Sequence, residues 1–545
     1  MDDQPLHDLL NVALAGEPPI GPAAQKSLAA GIRLRRRRRV RAATAATAAV
    51  AVIAVAVPAG LGAFGHLFRP PRPQGPPAPP ILYVANYSSN LGTPGGTVVP
   101  VNTATNTPGV PIHTVGGPNS STIADNVGKI AITPDGKTAY VTTGSSVTPI
   151  NTATNTPGKP IHIAPAADGY NYPDFIAITP DGKTAYVASG PGTVTPISTA
   201  TNTPGTPIPV GRGPVRIAIT PDGKTAYVAS QSGTVTPIST ATNTAGTPIS
   251  VDSGPVWIAI TPDGKTAYVA SQAGTVTPIN TATNTPGAPI HLGGGHPRSG
   301  IGQIAITPDG KTAYVATPSG VTPINTATNT PGKPIYLGQV INFGAGGFTE
   351  NIAITPDGKT AYVINQGGSV RPISTATNAP GKPISGGSFN LVAGTIAITP
   401  DGRTAYAATT TFCHTATCPV TVIPINTATN TPGTPITFKV TAKHGAMGQI
   451  TITPDGKTAY VTTGSTVTPI NTATNTPGKP IHVSGAVYQA VIAITPPTTP
   501  VPTSSPAPPH KRLPAKMTGL PMPAGTNLRR PPGSCSRSSR TVAGR

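Results

Sequence analysis

Charged side chains are scarce in this sequence. They make up 10% of its 545 residues, against about 25% in an ordinary soluble domain. Aromatic residues are 4% of the chain, and 17 residues are acidic against 37 Lys and Arg. So few acids leave little material for a carboxylate-rich metal site. So few aromatics leave little for a surface that stacks nucleic-acid bases.

The excess of basic residues, a formal net charge of +20, lies mainly at the two ends. Residues 1–41 hold eight Lys and Arg against four acids, and residues 497–545 hold eight against none. Residues 81–496 carry a net charge of only about +6. The basic residues are therefore informative about membrane topology and solubility rather than about a binding surface. Nucleic acid is not an expected partner.

Cysteine is rare as well, with three residues in the chain. Cys413 and Cys418 lie close together in C-H-T-A-T-C, and Cys535 stands alone near the C-terminus. In an oxidising compartment the first two can form a disulfide across a loop. Two free thiols are the alternative. A zinc site with His414 would need further ligands that the neighbouring sequence lacks.

Residues 42–68 carry no charge and have an apolar centre at 48–57. About 20 apolar residues span a bilayer as a helix, and the seven arginines within 33–41 would stay on the cytoplasmic side. This pattern predicts a transmembrane signal-anchor, with 1–41 as a short cytoplasmic segment and the rest of the chain outside. A cleaved signal peptide, which would leave the protein secreted, and a soluble helix are the alternatives. The roughly 40 residues before the apolar centre are long for a signal peptide.

Two low-complexity segments flank the central region. Residues 69–80 are rich in Pro and predict an extended spacer. Residues 497–545 are rich in Pro, Ser and basic residues without apolar periodicity, which predicts a disordered tail.

The central region, 81–496, consists of near-identical repeats. The octad T-P-D-G-(K/R)-T-A-Y occurs eight times, and (N/S)-T-A-T-N occurs nine times. In the repeat at 215–251, short runs rich in β-branched residues alternate with P-D-G-K, Q-S-G and S-T-A-T-N-T-A-G. These runs predict four strands, and four strands in about 40–45 residues is the period of a propeller blade. The Pro of the third run, V-T-P-I, is expected at a strand end or an exposed edge.

The ends of the repeat region complement each other. The segment I-L-Y-V-A-N-Y at 81–87 matches a second strand, and V-I-A-I-T at 491–495 matches a first strand. Their pairing would close a ring and protect its sheet edges. The sequence therefore predicts an all-β fold, a single β-propeller of nine four-stranded blades preceded by one transmembrane helix. Propellers typically have about 4–8 blades, and eight blades with a flanking hairpin is the alternative.

The repeats resemble the YVTN family of β-propeller repeats. The likeness lies in Y-V-A-N at 83–86, in the T-A-T-N blocks and in the P-D-G-K-T-A-Y-V blocks, and it extends over about 81–496. It implies a protein of microbial cell surfaces or of secreted or periplasmic compartments. The wider group includes lactonase-like propellers, so a lactonase-like hydrolase, with Asp174 or Glu350 as the residues to test, is an alternative function. The Pro of the V-T-P-I strand departs from the family pattern.

Insertions between the repeats are the expected places for ligand contacts, because loops on a rigid scaffold usually carry function. They lie at 118–129, 164–174, 293–303, 338–350 and 412–419. The candidate ligand-binding residues within them are Tyr170, Tyr172, Phe343, Phe348 and Glu350. No catalytic residue, metal ligand or cofactor is predicted. The aspartates of the P-D-G turns are expected to shape those turns, and the histidines of the P-I-H triplets, His113, His162, His291 and His482, are expected on outer strands.

These features favour a membrane-anchored, extracytoplasmic propeller that acts as a binding or scaffold module at the cell surface rather than as an enzyme. Its expected partner is a cell-envelope protein, peptide or glycan. A transmembrane envelope sensor, in which residues 1–32 report to the cytoplasm, is a second alternative besides the hydrolase.

Overall fold

The computed structural model describes residues 79–86, 96–114, 127–144, 146–163, 173–190, 192–292, 301–337, 351–365, 368–384, 391–411, 418–440, 449–463, 466–483 and 491–497. Their regular structure consists of 43 β-strands in nine separate antiparallel sheets. These residues contain no helix, and therefore none with the length and apolarity of a membrane span. The predicted anchor at 42–68 lies outside the described residues.

Each sheet is one blade, and the blades are numbered 1 to 9 along the chain. Blade 1 consists of β1 (Ile81–Asn86), β2 (Thr97–Asn102), β3 (Thr107–Pro108), β4 (Ile112–His113) and the last strand, β43 (Val491–Ile494). Blade 2 consists of β5 (Val127–Ile132), β6 (Thr138–Thr143), β7 (Ser146–Asn151), β8 (Thr156–Pro157) and β9 (Ile161–His162). Blade 3 consists of β10 (Pro173–Ile178), β11 (Thr184–Ser189), β12 (Thr193–Ser198), β13 (Thr203–Pro204) and β14 (Ile208–Pro209).

Blades 4 to 6 repeat this arrangement. Blade 4 consists of β15 (Pro214–Ile219), β16 (Thr225–Ser230), β17 (Thr234–Ser239), β18 (Thr244–Ala245) and β19 (Ile249–Ser250). Blade 5 consists of β20 (Pro255–Ile260), β21 (Thr266–Ser271), β22 (Thr275–Asn280), β23 (Thr285–Pro286) and β24 (Ile290–His291). Blade 6 consists of β25 (Ile304–Ile306), β26 (Thr312–Thr317), β27 (Gly320–Asn325), β28 (Thr330–Pro331) and β29 (Ile335–Tyr336).

The last three blades complete the ring. Blade 7 consists of β30 (Asn351–Ile354), β31 (Thr360–Ile364) and β32 (Val370–Ser374), with single bridges at its outer edge. Blade 8 consists of β33 (Leu391–Ile398), β34 (Thr404–Thr411), β35 (Cys418–Asn426), β36 (Thr431–Pro432) and β37 (Ile436–Val440). Blade 9 consists of β38 (Ile450–Ile452), β39 (Thr458–Thr463), β40 (Thr466–Asn471), β41 (Thr476–Pro477) and β42 (Ile481–His482).

The outermost layer of a blade is split in two, which corrects the expectation of four strands. In blade 4 both β18 and β19 pair with β17, and the same five-stranded arrangement occurs in eight of the nine sheets. The cause is the Pro of V-T-P-I, since Pro237 lies inside β17 rather than at its end. Its carbonyl accepts a 2.7 Å hydrogen bond from Gly246 on the outer side. The backbone N and C=O of one strand residue point to the same side of the strand. Because Pro237 has no N–H, its outer side lacks a hydrogen-bond donor at the break between β18 and β19.

The ring is closed by the last strand, as the sequence predicts, and it has nine blades rather than eight. Strand β43 pairs antiparallel with β1, for example Ile494 with Leu82. Thr495 N–H donates to the Ile81 carbonyl (3.0 Å), and Ile81 N–H donates to Thr495 Oγ1 (2.9 Å). The continuous turns have the same two bonds, such as those between Thr133 and Thr138. The pairing of β43 with β1 therefore reproduces the hydrogen bonds of a T-P-D-G-K-T turn between two segments that are not joined to each other in sequence.

The core is divided among the clefts between successive blades, each of which holds one apolar cluster. At the centre of each cleft is the Tyr of T-A-Y, or Tyr83 in blade 1, and all nine rings are fully buried. Each phenol donates a 2.5–2.6 Å hydrogen bond to the last Asn of N-T-A-T-N or S-T-A-T-N in the next blade. The nine bonds run once around the ring, and the Tyr460–Asn106 bond joins blade 9 to blade 1.

Asn is suited to this position for a second reason. All nine of these asparagines have φ between 54° and 56°, in the left-handed region that Asn tolerates better than most side chains. One residue therefore shapes the turn and also accepts the hydrogen bond from the neighbouring blade. We call the nine Tyr–Asn pairs the tyrosine–asparagine belt.

Candidate functional site

The two faces of the propeller differ in how far they repeat. The turn face carries the T-P-D-G and N-T-A-T-N turns. Because the strands are antiparallel, the turns between second and third strands and the connections between blades lie on the other face. We call this the variable face, since the strands that flank all five insertions of the repeat pattern end and begin there.

The carboxylates of the turn face have a geometric role, as the sequence predicts. Asp135 accepts hydrogen bonds from Thr133 Oγ1 (2.7 Å) and from the Lys137 N–H (3.1 Å). Gly136 completes the turn with φ at 72°, which favours glycine. The eight aspartates lie 3.2–3.8 Å from the adjacent Lys or Arg. Such exposed pairs contribute little to stability.

One position of the innermost strands varies although its neighbours repeat. The innermost strands read X-I-A-I, or X-I-T-I in blade 9, just before the T-P turn. The residue X lies toward the variable-face end of its strand. From blade 1 to blade 9 it is Val491, Lys129, Phe175, Arg216, Trp257, Gln303, Asn351, Thr395 and Gln449. We call this ring of nine positions the axial mouth; it contains no acidic residue.

Four successive blades place alternating cations and aromatic rings at the axial mouth. Arg216 of β15 lies with its guanidinium carbon 3.5 Å from the centroid of the Trp257 ring and 5.3 Å from that of Phe175. Lys129 Nζ lies 5.9 Å from the Phe175 centroid. Cations within about 6 Å of an aromatic centroid are attracted to the ring. We call these four residues the cation–aromatic column.

The surrounding fold fixes the column. Phe175 packs against the cluster between blades 3 and 4, and Trp257 packs against the cluster between blades 5 and 6. The rings are therefore held by the core, and Arg216 lies close to both of them on a strand. Groups on rigid strands are positioned more accurately than groups on loops.

The charge of Arg216 has no acidic partner in the described part of the chain. The aspartates of the turn face pair with their own adjacent Lys or Arg. Asp252, on the variable face, accepts a hydrogen bond from Thr275 instead. Burial lowers the pKa of Arg216 below its usual range. Arginine nevertheless stays protonated at neutral pH, so the column holds a positive charge at the axial mouth.

The opposite half of the axial mouth is neutral. Gln303 bridges to blade 7, since its amide donates to the Ile352 carbonyl (3.1 Å) and accepts from the Ile352 N–H (2.9 Å). Gln449 donates its backbone N–H to Thr462 Oγ1 at 2.8 Å. The formally charged positions of the axial mouth are Lys129 and Arg216, on blades 2 and 4.

The candidate ligand-binding residues predicted from the insertions lie outside the described residues: Tyr170, Tyr172, Phe343, Phe348 and Glu350. Cys413 lies outside them as well, and Cys418 begins β35 without a described side chain, so their disulfide stays a prediction. The side chain of Asp174 is likewise outside the description.

The histidines of the P-I-H triplets are exposed on outer strands of blades 1, 2, 5 and 9. In the ranges that the structure covers, no three His, Cys, Asp or Glu side chains come together as metal ligands would. A cavity of about 450 Å³ lies at the outer rim, where Pro278, Pro289 and His291 of blade 5 meet Thr328 and Pro331 of blade 6.

The cation–aromatic column was not predicted, because its basic and aromatic residues are not close together in the chain. Its members are 41 to 46 residues apart and meet only because each stands at the same place in its repeat. A sequence signal for the column does exist. When the repeats are aligned with one another, the residue just before the nearly constant I-A-I-T varies from blade to blade.

Three solved structures resemble this chain distantly. No protein-family model matches the sequence, and no curated protein matches it. Among solved structures, hydrazine synthase of Kuenenia stuttgartiensis has 22% identity and a TM-score of 0.39 over 60% of this chain and 99% of its own. Dihydro-heme d1 dehydrogenase NirN, in complex with DHE, has 16% identity and a TM-score of 0.47 over 67% of this chain and 75% of its own. A eukaryotic initiation factor has 14% identity and a TM-score of 0.49 over 76% of this chain and 98% of its own.

Proposed function

We propose that this protein is a membrane-tethered, extracytoplasmic binding module of the YVTN type, and that its axial mouth receives the ligand. The observation that carries the proposal is the cation–aromatic column, which interrupts nine nearly constant innermost strands at one register. Packing of the blade does not fix this register, because nine blades of one fold carry eight different residue types there. Four different large side chains on four successive blades fit selection for contacts with something else.

The rest of the molecule suits a binding role. The belt and the nine apolar clusters make the ring rigid, and a rigid site loses little entropy when a ligand binds. The uncharged stretch at 42–68 with the arginines before it supports the tether, and the Pro-rich spacer at 69–80 would hold the propeller away from the bilayer. Recovery of the full chain in washed membranes, lost when 42–68 is deleted, tests the tether.

Capture from solubilised cell envelope tests the binding site. The full chain and three variants, Arg216→Ala, Arg212→Ala and Arg403→Ala, would be immobilised at equal density. Arg212 is exposed on the variable face of the same repeat, and Arg403 is exposed on the turn face, so both control for loss of one positive charge. We expect material that the wild type and both controls retain and that Arg216→Ala loses. Equal retention by all four proteins, or retention by none, would contradict the proposal.

A further inference from the structure

The two ends of the propeller leave it side by side on the turn face. Ile81 is the first residue of β1 and pairs with Asn102, which begins an N-T-A-T-N turn. At the other end, Thr495 follows β43 and exchanges two hydrogen bonds with Ile81. The segments before Ile81 and after Thr495 therefore start from one point, at the turn-face end of blade 1. We call this point the shared exit.

Contacts with the turns hold the chain at the shared exit. The Pro80 carbonyl accepts hydrogen bonds from Thr103 Oγ1 (2.6 Å) and from the Thr103 N–H (3.3 Å). Pro496 lies beside Gly136, in the T-P-D-G turn of blade 2. The fold of blades 1 and 2 therefore determines where both segments leave the ring.

The segment after the shared exit is long enough to reach the membrane that the segment before it enters. Under the proposed function 42–68 spans the membrane, and residues 69–80 reach about 40 Å at most when fully extended. Residues 498–545, which we call the basic tail, contain eight Lys and Arg and no acid. On the same scale its first cations, Lys511 and Arg512, can lie about 45 Å from the shared exit. Every cation of the basic tail is therefore within reach of the bilayer.

The turn face neither binds the basic tail strongly nor repels an anionic surface. Its eight aspartates each lie 3.2–3.8 Å from the adjacent Lys or Arg. The T-P-D-G-(K/R) turns therefore carry as many cations as anions, and each turn carboxylate already has a cation beside it. Lipid phosphates offer the basic tail a denser layer of negative charge.

We infer that the basic tail binds the anionic lipid headgroups of the bilayer that residues 69–80 reach, as a second membrane contact beside the proposed anchor. The inference rests on the proposed function, because it starts from the tether. Each basic residue near an anionic bilayer strengthens binding roughly fivefold, so several together hold a segment at the surface. The shared exit favours lipid over a soluble polyanion, since it brings the basic tail to the bilayer whichever way the propeller turns. The axial mouth lies on the opposite face and stays open to its ligand.

Energy transfer from the basic tail to lipid tests the inference. The full chain carries a donor dye on Cys535, with Cys413→Ser and Cys418→Ser to leave one thiol, and is reconstituted in vesicles with a headgroup-labelled acceptor lipid. Vesicles of phosphatidylcholine are compared with vesicles that also contain phosphatidylglycerol. We expect high transfer with phosphatidylglycerol and a fall of roughly twofold or more without it or at high salt, which screens the charges.

Two outcomes of this experiment would overturn the lipid contact. One is equal transfer in the two kinds of vesicle. The other is loss of transfer when inorganic polyphosphate is added at the same concentration of negative charge as the lipid, which would assign the basic tail to a soluble polyanion instead.

Charge variants localise the contact. One variant replaces four cations of the basic tail by Lys511→Gln, Arg512→Gln, Arg529→Gln and Arg530→Gln. The matched control replaces four exposed lysines of the outer rim by Lys159→Gln, Lys333→Gln, Lys382→Gln and Lys479→Gln. We expect the tail variant to lose most of the transfer and the rim variant to keep it. An equal loss from both would replace the tail contact by diffuse attraction. Thermal melting shows whether each variant is folded.

The tether and the tail contact fail differently. Full chain that stays with the vesicles at high salt, but whose transfer is the same in the tail variant, would keep the tether and overturn the tail contact. Full chain that high salt removes from the vesicles, with transfer that depends on the tail before removal, would overturn the tether and keep the contact with anionic lipid.

Discussion

Several threonine hydroxyls are buried between the blades without a hydrogen-bond partner in the part of the chain that the structure covers. They are Thr148, Thr195, Thr236, Thr277 and Thr322, each from the V-T-P-I strand of its blade. Blades 1 and 8 place Val99 and Ile423 at the same register. Burying a hydroxyl without a partner costs free energy, so the threonines are tolerated rather than required.

Thr236→Val should therefore stabilise the protein. The substitution keeps the branched shape and removes a hydroxyl that is fully buried. We expect the free energy of unfolding to rise by about 1 kcal/mol, the lower part of the range for an unsatisfied hydroxyl. The denaturant midpoint at neutral pH measures the change.

Thr220→Val is the matched control for this substitution. Thr220 Oγ1 donates to Asp222 (2.6 Å) and accepts from the Thr225 N–H (3.1 Å) in the T-P-D-G turn. Its removal should lower the midpoint, by about 1–2 kcal/mol. If both variants shift the midpoint in the same direction, hydrogen bonding is not what distinguishes the two threonines.

The tyrosine–asparagine belt joins neighbouring blades, and it makes the stability of the protein fall at alkaline pH. Burial, together with the charge of the nearby turn aspartate, raises the pKa of eight belt tyrosines to about 12. Burial also raises the pKa of Tyr83. In the unfolded chain a tyrosine has a pKa of about 10. The folded state therefore favours the neutral phenol. Its contribution to stability is complete below pH 10 and is lost as the pH rises from 10 through 12.

We expect the denaturant midpoint to change little with Tyr ionisation between pH 7 and 9 and to fall steeply above pH 10. Lysines also titrate there, so Tyr227→Phe serves as the control, since it removes one phenol and its bond to Asn284. The variant should be less stable at pH 8 by about 1 kcal/mol and should lose less stability between pH 9 and 11. Identical alkaline slopes for the two proteins would show that the belt is not responsible.

The blade could be predicted from the sequence because its turns depend on local chemistry. Pro, Asp and Gly in T-P-D-G-K determine a turn wherever they occur, and the β-branched runs on either side determine the strands. The bond from Tyr227 to Asn284 could not be predicted in this way, because it joins residues 57 positions apart through the packing of two blades. The same holds for Arg216 and Trp257. Local rules identify the element, and its side-chain contacts follow from the ring.

For the whole molecule, the number of blades follows from closure. Nine N-T-A-T-N or S-T-A-T-N turns and a split first repeat predicted nine, and the pairing of β43 with β1 confirmed it. The split of the outer strand was not predicted, because the effect of Pro237 depends on which side of β17 lacks a partner. The cation–aromatic column was not predicted either, because a ring brings together repeats that the chain keeps apart.

A chain that ends at residue 490 should fail to close. It lacks β43, and the inner edge of β1 is then unpaired, which invites pairing with another chain. We expect a large fall in melting temperature and the formation of oligomers, measured by light scattering. A chain that ends at residue 497 keeps β43 and removes only the tail, so it should melt like the full chain. If the shorter chain also stays monomeric and stable, closure by β43 is not what holds the ring.

The first blade to be synthesised is also the last to be completed. Ile81 emerges early, yet its partner Thr495 follows 414 residues later. During that interval β1 remains available to the first strand of every later repeat, and those strands share nearly the same I-A-I sequence. Premature pairing with one of them would give a smaller ring with blades left over. Correct assembly therefore requires each later first strand to be taken up by its own second strand before it can reach the waiting edge.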